Sequence, residues 1–195
     1  AADERFGELG AMVVSVSTAV GAVNDPNGLD IERLVRLREQ FRDDCVVEYG
    51  GTLPADAALL VDTDVLVPAA REDVINDDIA QTTTAKLIVE GANLPTTPSA
   101  RLVLHKRGIA VIPDFIANAG GIVAAAHSMG ARYSAFTVDP DDIFTMISTK
   151  LRANAVAVLD ASLRCGVTTH EAAYKLAQDR VRTAMQLRGR IPAEP

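Results

Sequence analysis

Short apolar runs alternate along the chain with longer segments whose apolar positions recur every three or four residues. The run "GAMVVSVS" (10–17) is rich in β-branched residues and reads as a strand. "GLDIERLVRLREQF" (28–41) carries isoleucine and leucine at helical spacing, and "CVVEY" (45–49) reads as a weaker strand suited to an edge. "TDVLVPAA" (63–70) and "AKLIVEGAN" (85–93) are strands that end in small residues or turn formers, with one or two helical turns between them in "REDVINDDIAQTT". In "TTPSARLVLHKRG", Thr97 is placed as an N-cap, Pro98 at the first helical position and Gly108 just past the end. "IAVIPDF" is the last strand. Strands this apolar, without alternation, suit a parallel sheet covered on both faces, and the intervening helices are long enough for crossovers. The pattern predicts a doubly wound α/β domain.

After residue 138 the rhythm becomes purely helical. Asp139 precedes Pro140, with Asp141 and Asp142 in the first turn, and a long helix is expected from there to about Arg164, stopped by Gly166. Thr168 and Glu171 have capping-box spacing and open a second helix through Leu187, closed by Gly189. The expected organisation is therefore a doubly wound domain over 1–138 and a helical pair over 139–195 that packs back on it or on a partner.

Composition narrows the function. The 195 residues are 48% hydrophobic and carry a formal charge of -7, with no tryptophan. That excludes a disordered chain and argues against nucleic-acid or anionic-membrane partners, which need a basic face. Cys45 and Cys165 stand far apart, and His105, His127 and His170 are equally scattered, so no metal-ligand spacing is present and none is expected. No apolar run has membrane-spanning length and nothing resembles a signal peptide, which makes a cytoplasmic protein with reduced thiols the expectation.

The chemistry concentrates in turns. In a parallel sheet, ligands bind beyond the carboxyl ends of the strands. Asn118 stands just past such an end in "IPDFIANAGG", where its amide can donate and accept. It has two readings, a ligand contact or a cap for the next helix. Gly120 and Gly121 leave backbone bare for the close approach of a ring. Asn93 ends "EGAN" in the same way, as a turn residue or a ligand contact, and the small side chains of Pro68, Ala69 and Ala70 leave room at a third strand end or simply pack tightly. Asp114 reads as a turn carboxylate, His105 as a solvated residue near a helix C-terminus, and His127 as a weak cleft candidate.

The segments "VPAAREDVIN", "IVEGANLPTTPSA", "RGIAVIPDFIANAGGIV" and "EAAYKLAQDRVRTAMQLRGRIP" resemble, in order and over nearly the whole chain, the cofactor-binding domain of the glutamate/leucine/phenylalanine/valine dehydrogenase family. The stretch 123–149 is the part that matches poorly. The resemblance implies a Rossmann-like domain of a two-domain enzyme. Such an enzyme oxidatively deaminates an L-amino acid to a 2-oxo acid and ammonia with NAD or NADP, and its other domain supplies the catalytic lysine and aspartate. It implies that "AADERFGELGA" is the helix that follows the phosphate loop, so the chain is expected to be a fragment lacking the first strand, the glycine loop and every catalytic residue. It should be inactive alone, and its sheet should close up or recruit a strand from another molecule.

By the same resemblance Asn118 lies near the nicotinamide and substrate, Asn93 near the nicotinamide ribose, and Pro68, Ala69 and Ala70 beside it. Ser17 and Thr18 fall where the adenosine ribose is read. Many relatives have an acid after that serine, and its absence here leaves NAD and NADP both open. Seven residues on from Asn118, glutamate-specific relatives have a serine and leucine- or phenylalanine-type relatives an apolar residue; this chain has Ala125, whereas the carboxy-terminal helix is of the glutamate type. The intact enzyme is expected to be a homo-oligomer, commonly a hexamer. A 2-hydroxy-acid dehydrogenase would need an arginine, an acid and a histidine grouped around the cofactor, which this order of motifs does not offer. The non-enzymatic alternative is a nucleotide-binding or assembly module that kept the fold and lost catalysis.

Overall fold

The computed structural model describes residues 10–51, 53–131 and 139–192. The helix expected over residues 1–9 and the domain boundary expected at residue 138 lie outside them. The chain forms two compact units, 1–66 with 78–85, and 67–77 with 86–195.

In the first unit, β1 (Ser15–Thr18) and β2 (Gly21–Asn24) form an antiparallel hairpin, Thr18 facing Gly21 and Ser15 facing Asn24 across Ala19 and Val20. The expected strand over 10–17 is thus shorter at its start. There the backbone turns outward to serve a loop, the Val13 carbonyl accepting from the Leu29 N–H and the Val14 carbonyl from the Asp25 N–H, both at 2.8 Å. α1 (Ile31–Phe41) starts at Asp30, whose carboxylate accepts from the Arg33 N–H at 2.9 Å, and buries Leu34. α2 (Cys45–Tyr49) corrects the strand expected for "CVVEY". One turn of helix puts Cys45 and Val46 together in a core with Val23 and Leu29 and leaves Val47 exposed. Gly50, at φ 115, then ends the helix. Burial of one helical face outweighs the β-propensity of the two valines. Gly51 is dictated by space, since a Cβ there would stand 2.6 Å from the carbonyl oxygens of Ala22 and Val46. β3 (Val65–Leu66) and most of α3 (Asp77–Thr82) also belong to this unit.

The second unit holds the parallel part of this α/β fold. β4 (Leu87–Val89) and β5 (Ala110–Ile112) pair in parallel, Leu87 with Ala110 and Val89 with Ile112. They are joined through α4 (Pro98–Lys106), which Thr97 caps by accepting from the Ala100 N–H at 3.2 Å. A further parallel bridge links Ile75 and Thr96. Past β5 the chain bends at Pro113 into the short α5 (Asp114–Ala117) and then α6 (Gly120–Ala131).

α7 (Pro140–Cys165) opens on Asp139 and Pro140 and ends at Gly166, and α8 (Thr169–Leu187) opens on a complete Thr168–Glu171 capping box. Both helices pack onto β5 and α5, where Val158, Ala172 and Ala173 bury against Ile112 and Ile116. Among the described residues no helix is long and apolar enough to cross a membrane. Cys45 is buried and Cys165 exposed, both as free thiols.

Candidate functional site at the strand ends

Three strand-end turns of the second unit meet. The Pro68 carbonyl accepts from the N–H groups of Gly91 and Ala92 at 3.1 and 2.9 Å, which ties "PAA" to "EGAN". Gly91 permits that approach, because a Cβ there would come within 3.0 Å of the Ala69 Cβ. Pro68 is buried, while Ala69 and Ala70 are exposed and present small side chains at the surface.

From the third turn, Asn118 reaches back with its side chain. Its Nδ2 donates to Asn93 Oδ1 at 2.8 Å and faces the Gly91 carbonyl oxygen at 3.5 Å. Two acceptors in front of this nitrogen fix which way round the amide sits. Both side-chain bonds therefore go to the "EGAN" turn, while the Asn118 backbone N–H closes α5 by donating to the Asp114 carbonyl at 2.8 Å.

Beneath the asparagines lies a buried polar network. Glu90, with a fully buried side chain, accepts through Oε2 from the Asp114 backbone N–H at 2.9 Å and pairs with His170 Nε2 at 2.9 Å. Asp114 accepts from the Leu94 N–H through Oδ2 and from the Phe115 N–H through Oδ1, both at 2.8 Å. The imidazole of His170 meets the Phe115 ring edge-on, centroids 6.5 Å apart. Asp114 is more than the turn carboxylate read from its place in the chain, and Glu90 and His170 escaped the sequence reading. Their signal was a carboxylate at the end of an apolar strand and a histidine in an apolar helix face, 80 residues apart, and nothing local joins them.

Glu90, Asp114 and His170 also present ligand-type atoms within 4.8 Å of one another. Yet the Glu90 Oε2 and both Asp114 oxygens already accept N–H bonds, which a cation would have to displace. The same His170 and Phe115 line an open depression of about 450 Å³ with Arg101, Tyr174 and Lys175, and neither asparagine contributes to it.

The other residues singled out in the sequence belong to other elements. Ser17 and Thr18 belong to the hairpin of the first unit, where Ser17 is exposed and the Thr18 hydroxyl donates to the Asp43 carbonyl at 2.7 Å. Gly120 faces α7, where a Cβ would stand 3.3 Å from Ile147 Cγ2, and Gly121 faces open space. Ala125 is exposed on α6, five residues beyond Gly120 and so about 7 Å further along the axis. His127 buries an Nδ1 that has no partner among the described residues.

A carboxamide suits the rim of this site. With Asn118 Nδ2 committed to Asn93 Oδ1, the remaining side-chain polar atoms of the exposed pair are an acceptor, Asn118 Oδ1, and a donor, Asn93 Nδ2. A primary amide offers the complementary donor and acceptor. The bare Gly91 backbone and the small Ala69 and Ala70 leave room for it.

An α/β unit with paired parallel strands and turns converging beyond their carboxyl ends is of the Rossmann-like class. The model of the Glutamate/Leucine/Phenylalanine/Valine dehydrogenase family matches residues 1–189. The chain belongs to that family. It is 36% identical to the glutamate dehydrogenase of Thermotoga maritima over 185 residues, which is 95% of this chain and 44% of that protein. It is 33% identical over 182 residues to the NAD-specific glutamate dehydrogenase of Staphylococcus aureus, covering 93% of this chain and 44% of the relative. Among solved structures it superposes on the hetero-hexameric glutamate dehydrogenase of Thermus thermophilus, in its leucine-bound form, with TM-score 0.79 and 28% identity over 97% of this chain and 44% of that one. The chain thus spans less than half the length of the relatives it matches.

Proposed function

We propose that this chain is the cofactor-binding part of an amino-acid dehydrogenase and that the Asn93–Asn118 pair receives the nicotinamide end of NAD or NADP. The observation that carries the reading is the 2.8 Å bond between the two asparagines beyond paired parallel strands, whose remaining acceptor and donor complement a carboxamide. A bound nicotinamide supplies hydride acceptance from the α-carbon of the amino acid. The chain's own part is to hold and orient: Asn118 and Asn93 fix the ring's carboxamide, and Ala69, Ala70 and Gly91 leave the ribose its space. Ser17 and Thr18 read the adenosine ribose. With no carboxylate at either position to repel a 2′-phosphate, and no arginine close behind to hold one, the choice between NAD and NADP stays open.

Substrate is a glutamate or a branched or apolar amino acid, with Ala125 as the residue nearest to a specificity contact. The lysine and aspartate that the family resemblance implies are not carried by the segments matched here, so the 195 residues alone turn over no amino acid. The intact enzyme works as an oligomer.

Calorimetric titration of NAD and NADP tests the reading. Binding tighter than about 1 mM, roughly 4 kcal/mol, supports it, and Asn118→Ala should weaken NAD while sparing ADP-ribose. No heat at millimolar ligand overturns it. NADH production from L-glutamate or L-leucine by the purified chain would overturn the claim of inactivity.

A further inference from the structure

We infer that His170 is a positioning residue for the Asn93–Asn118 pair, acting through Glu90 and Asp114. The inference rests on the reading of that pair as the nicotinamide site. Glu90 immediately precedes the Gly91-Ala92-Asn93 turn, and Asp114 heads the short helix that Asn118 closes. The two turns are therefore joined twice, at their tips by the exposed asparagine bond and at their roots by the Asp114 N–H on Glu90 Oε2. His170 adds a third point of attachment at the root. It sits in the first turn of α8, whose start is fixed by the Thr168–Glu171 capping box, and its Nε2 lies on the same Glu90 oxygen.

The carboxylate needs that third point. Glu90 Oε2 serves two partners while Oε1, also buried, has none among the described residues. The orientation of the carboxylate is therefore set by where its two donors stand. Without the imidazole only one backbone N–H would hold it, and the terminal torsion of a glutamate is soft. Docking of α8 does not require this polar link, because Ala172, Ala173 and Val158 already bury against Ile112 and Ile116. A buried carboxylate–imidazole pair adds little net stability over apolar side chains of the same size. What it adds is a fixed direction for Glu90, and with it the separation of the two turns that place the asparagines.

The test compares His170→Phe, which fills the space without a donor, with His170→Gln, which keeps an N–H. NAD is titrated beside ADP-ribose, which lacks the nicotinamide, and the side-chain amide resonances of Asn93 and Asn118 are followed by ¹⁵N NMR without ligand. In H170F the NAD affinity should fall about tenfold, the worth of one hydrogen bond, with ADP-ribose within about twofold of wild type. The asparagine resonances should shift, and H170Q should restore both readouts. Equal weakening of NAD and ADP-ribose, no weakening at all, or unmoved asparagine resonances in H170F would overturn the inference. Should H170F not fold, His170→Met, also without a donor but more adaptable in shape, carries the same test. If the wild-type chain binds neither dinucleotide, the functional reading fails, and the asparagine resonances still decide whether His170 positions the pair.

Discussion

Replacing Asp114 by alanine should cost about 3 kcal/mol. The carboxylate is 6% exposed and accepts two backbone N–H groups at 2.8 Å, those of Leu94 and Phe115. Hydrogen bonds to a charged group are worth about 1.5–3 kcal/mol each. Phe115 is an exposed residue whose freed N–H can turn to water, so its bond contributes about 1 kcal/mol at most. The Leu94 bond contributes about 2 kcal/mol, because it also holds a non-glycine residue at φ 49, a backbone region that costs about 1 kcal/mol to occupy. Asp114→Asn keeps one acceptor and turns an amide nitrogen toward the other N–H, so about 2 kcal/mol should be lost. Urea unfolding followed by circular dichroism gives the global loss. Because the chain forms two compact units, hydrogen exchange at the Leu94 amide gives a local value that does not depend on single-step unfolding. In D114A that amide should exchange about thirtyfold faster. An unchanged urea midpoint, or exchange accelerated less than about threefold, would refute the accounting.

Gly91→Ala should cost about 1–3 kcal/mol and lower Tm by several degrees, because its Cβ would sit 3.0 Å from that of Ala69; Gly121→Ala, which meets nothing within 4 Å, should leave Tm unchanged or raise it. Equal melting shifts in the two variants would deny the close approach of the turns. Thr168→Ala removes the cap of α8, whose hydroxyl accepts from the Glu171 N–H at 3.2 Å, and urea titration should show a loss of about 1 kcal/mol. The Thr168 backbone N–H, and after it the Thr168 hydroxyl, hold the Glu171 carboxyl below its ordinary 4.5. A depressed carboxyl stabilises the fold above its unfolded value and loses that contribution as pH falls through the folded one. Glu171→Gln should accordingly be less stable than wild type at pH 7 and closer to it at pH 3. A difference in urea midpoint that is the same at both pH values would contradict this.

The chain's local signals were read correctly because each is settled within a few residues. Thr97 with Pro98, Asp139 with Pro140, and Thr168 with Glu171 all open helices where the sequence places them. The small-residue segments at 68–70 and 91–93 lie just beyond β3 and β4, which end at Leu66 and Val89, earlier than the sequence places them. The failures share one cause. "CVVEY" has strand propensity but folds as a helix because Cys45 and Val46 find a core with Val23 and Leu29 that no local pattern announces. The pairing of β1 with β2 depends on a two-residue turn, Ala19-Val20, that carries none of the usual turn formers. Gly120 looked like bare backbone for a ligand, and the nearest heavy atom to a Cβ there belongs to Ile147 on another helix. The root of the site joins residues 24 and 80 positions apart and could be seen only in three dimensions.

The two levels of the site differ in what they can give up. The tip bond between Asn118 and Asn93 is exposed, so breaking it costs little, because water or a ligand amide can take over either partner. The root bonds are buried, and none of them can be broken without leaving a donor or a carboxylate oxygen unpaired away from water. On the proposed reading, a ligand carboxamide would therefore compete for or share the tip while the root holds the two turns together. A site built the other way, with buried asparagines over an exposed root, would have to move its backbone to admit any ligand amide and would lose the fixed separation of its turns.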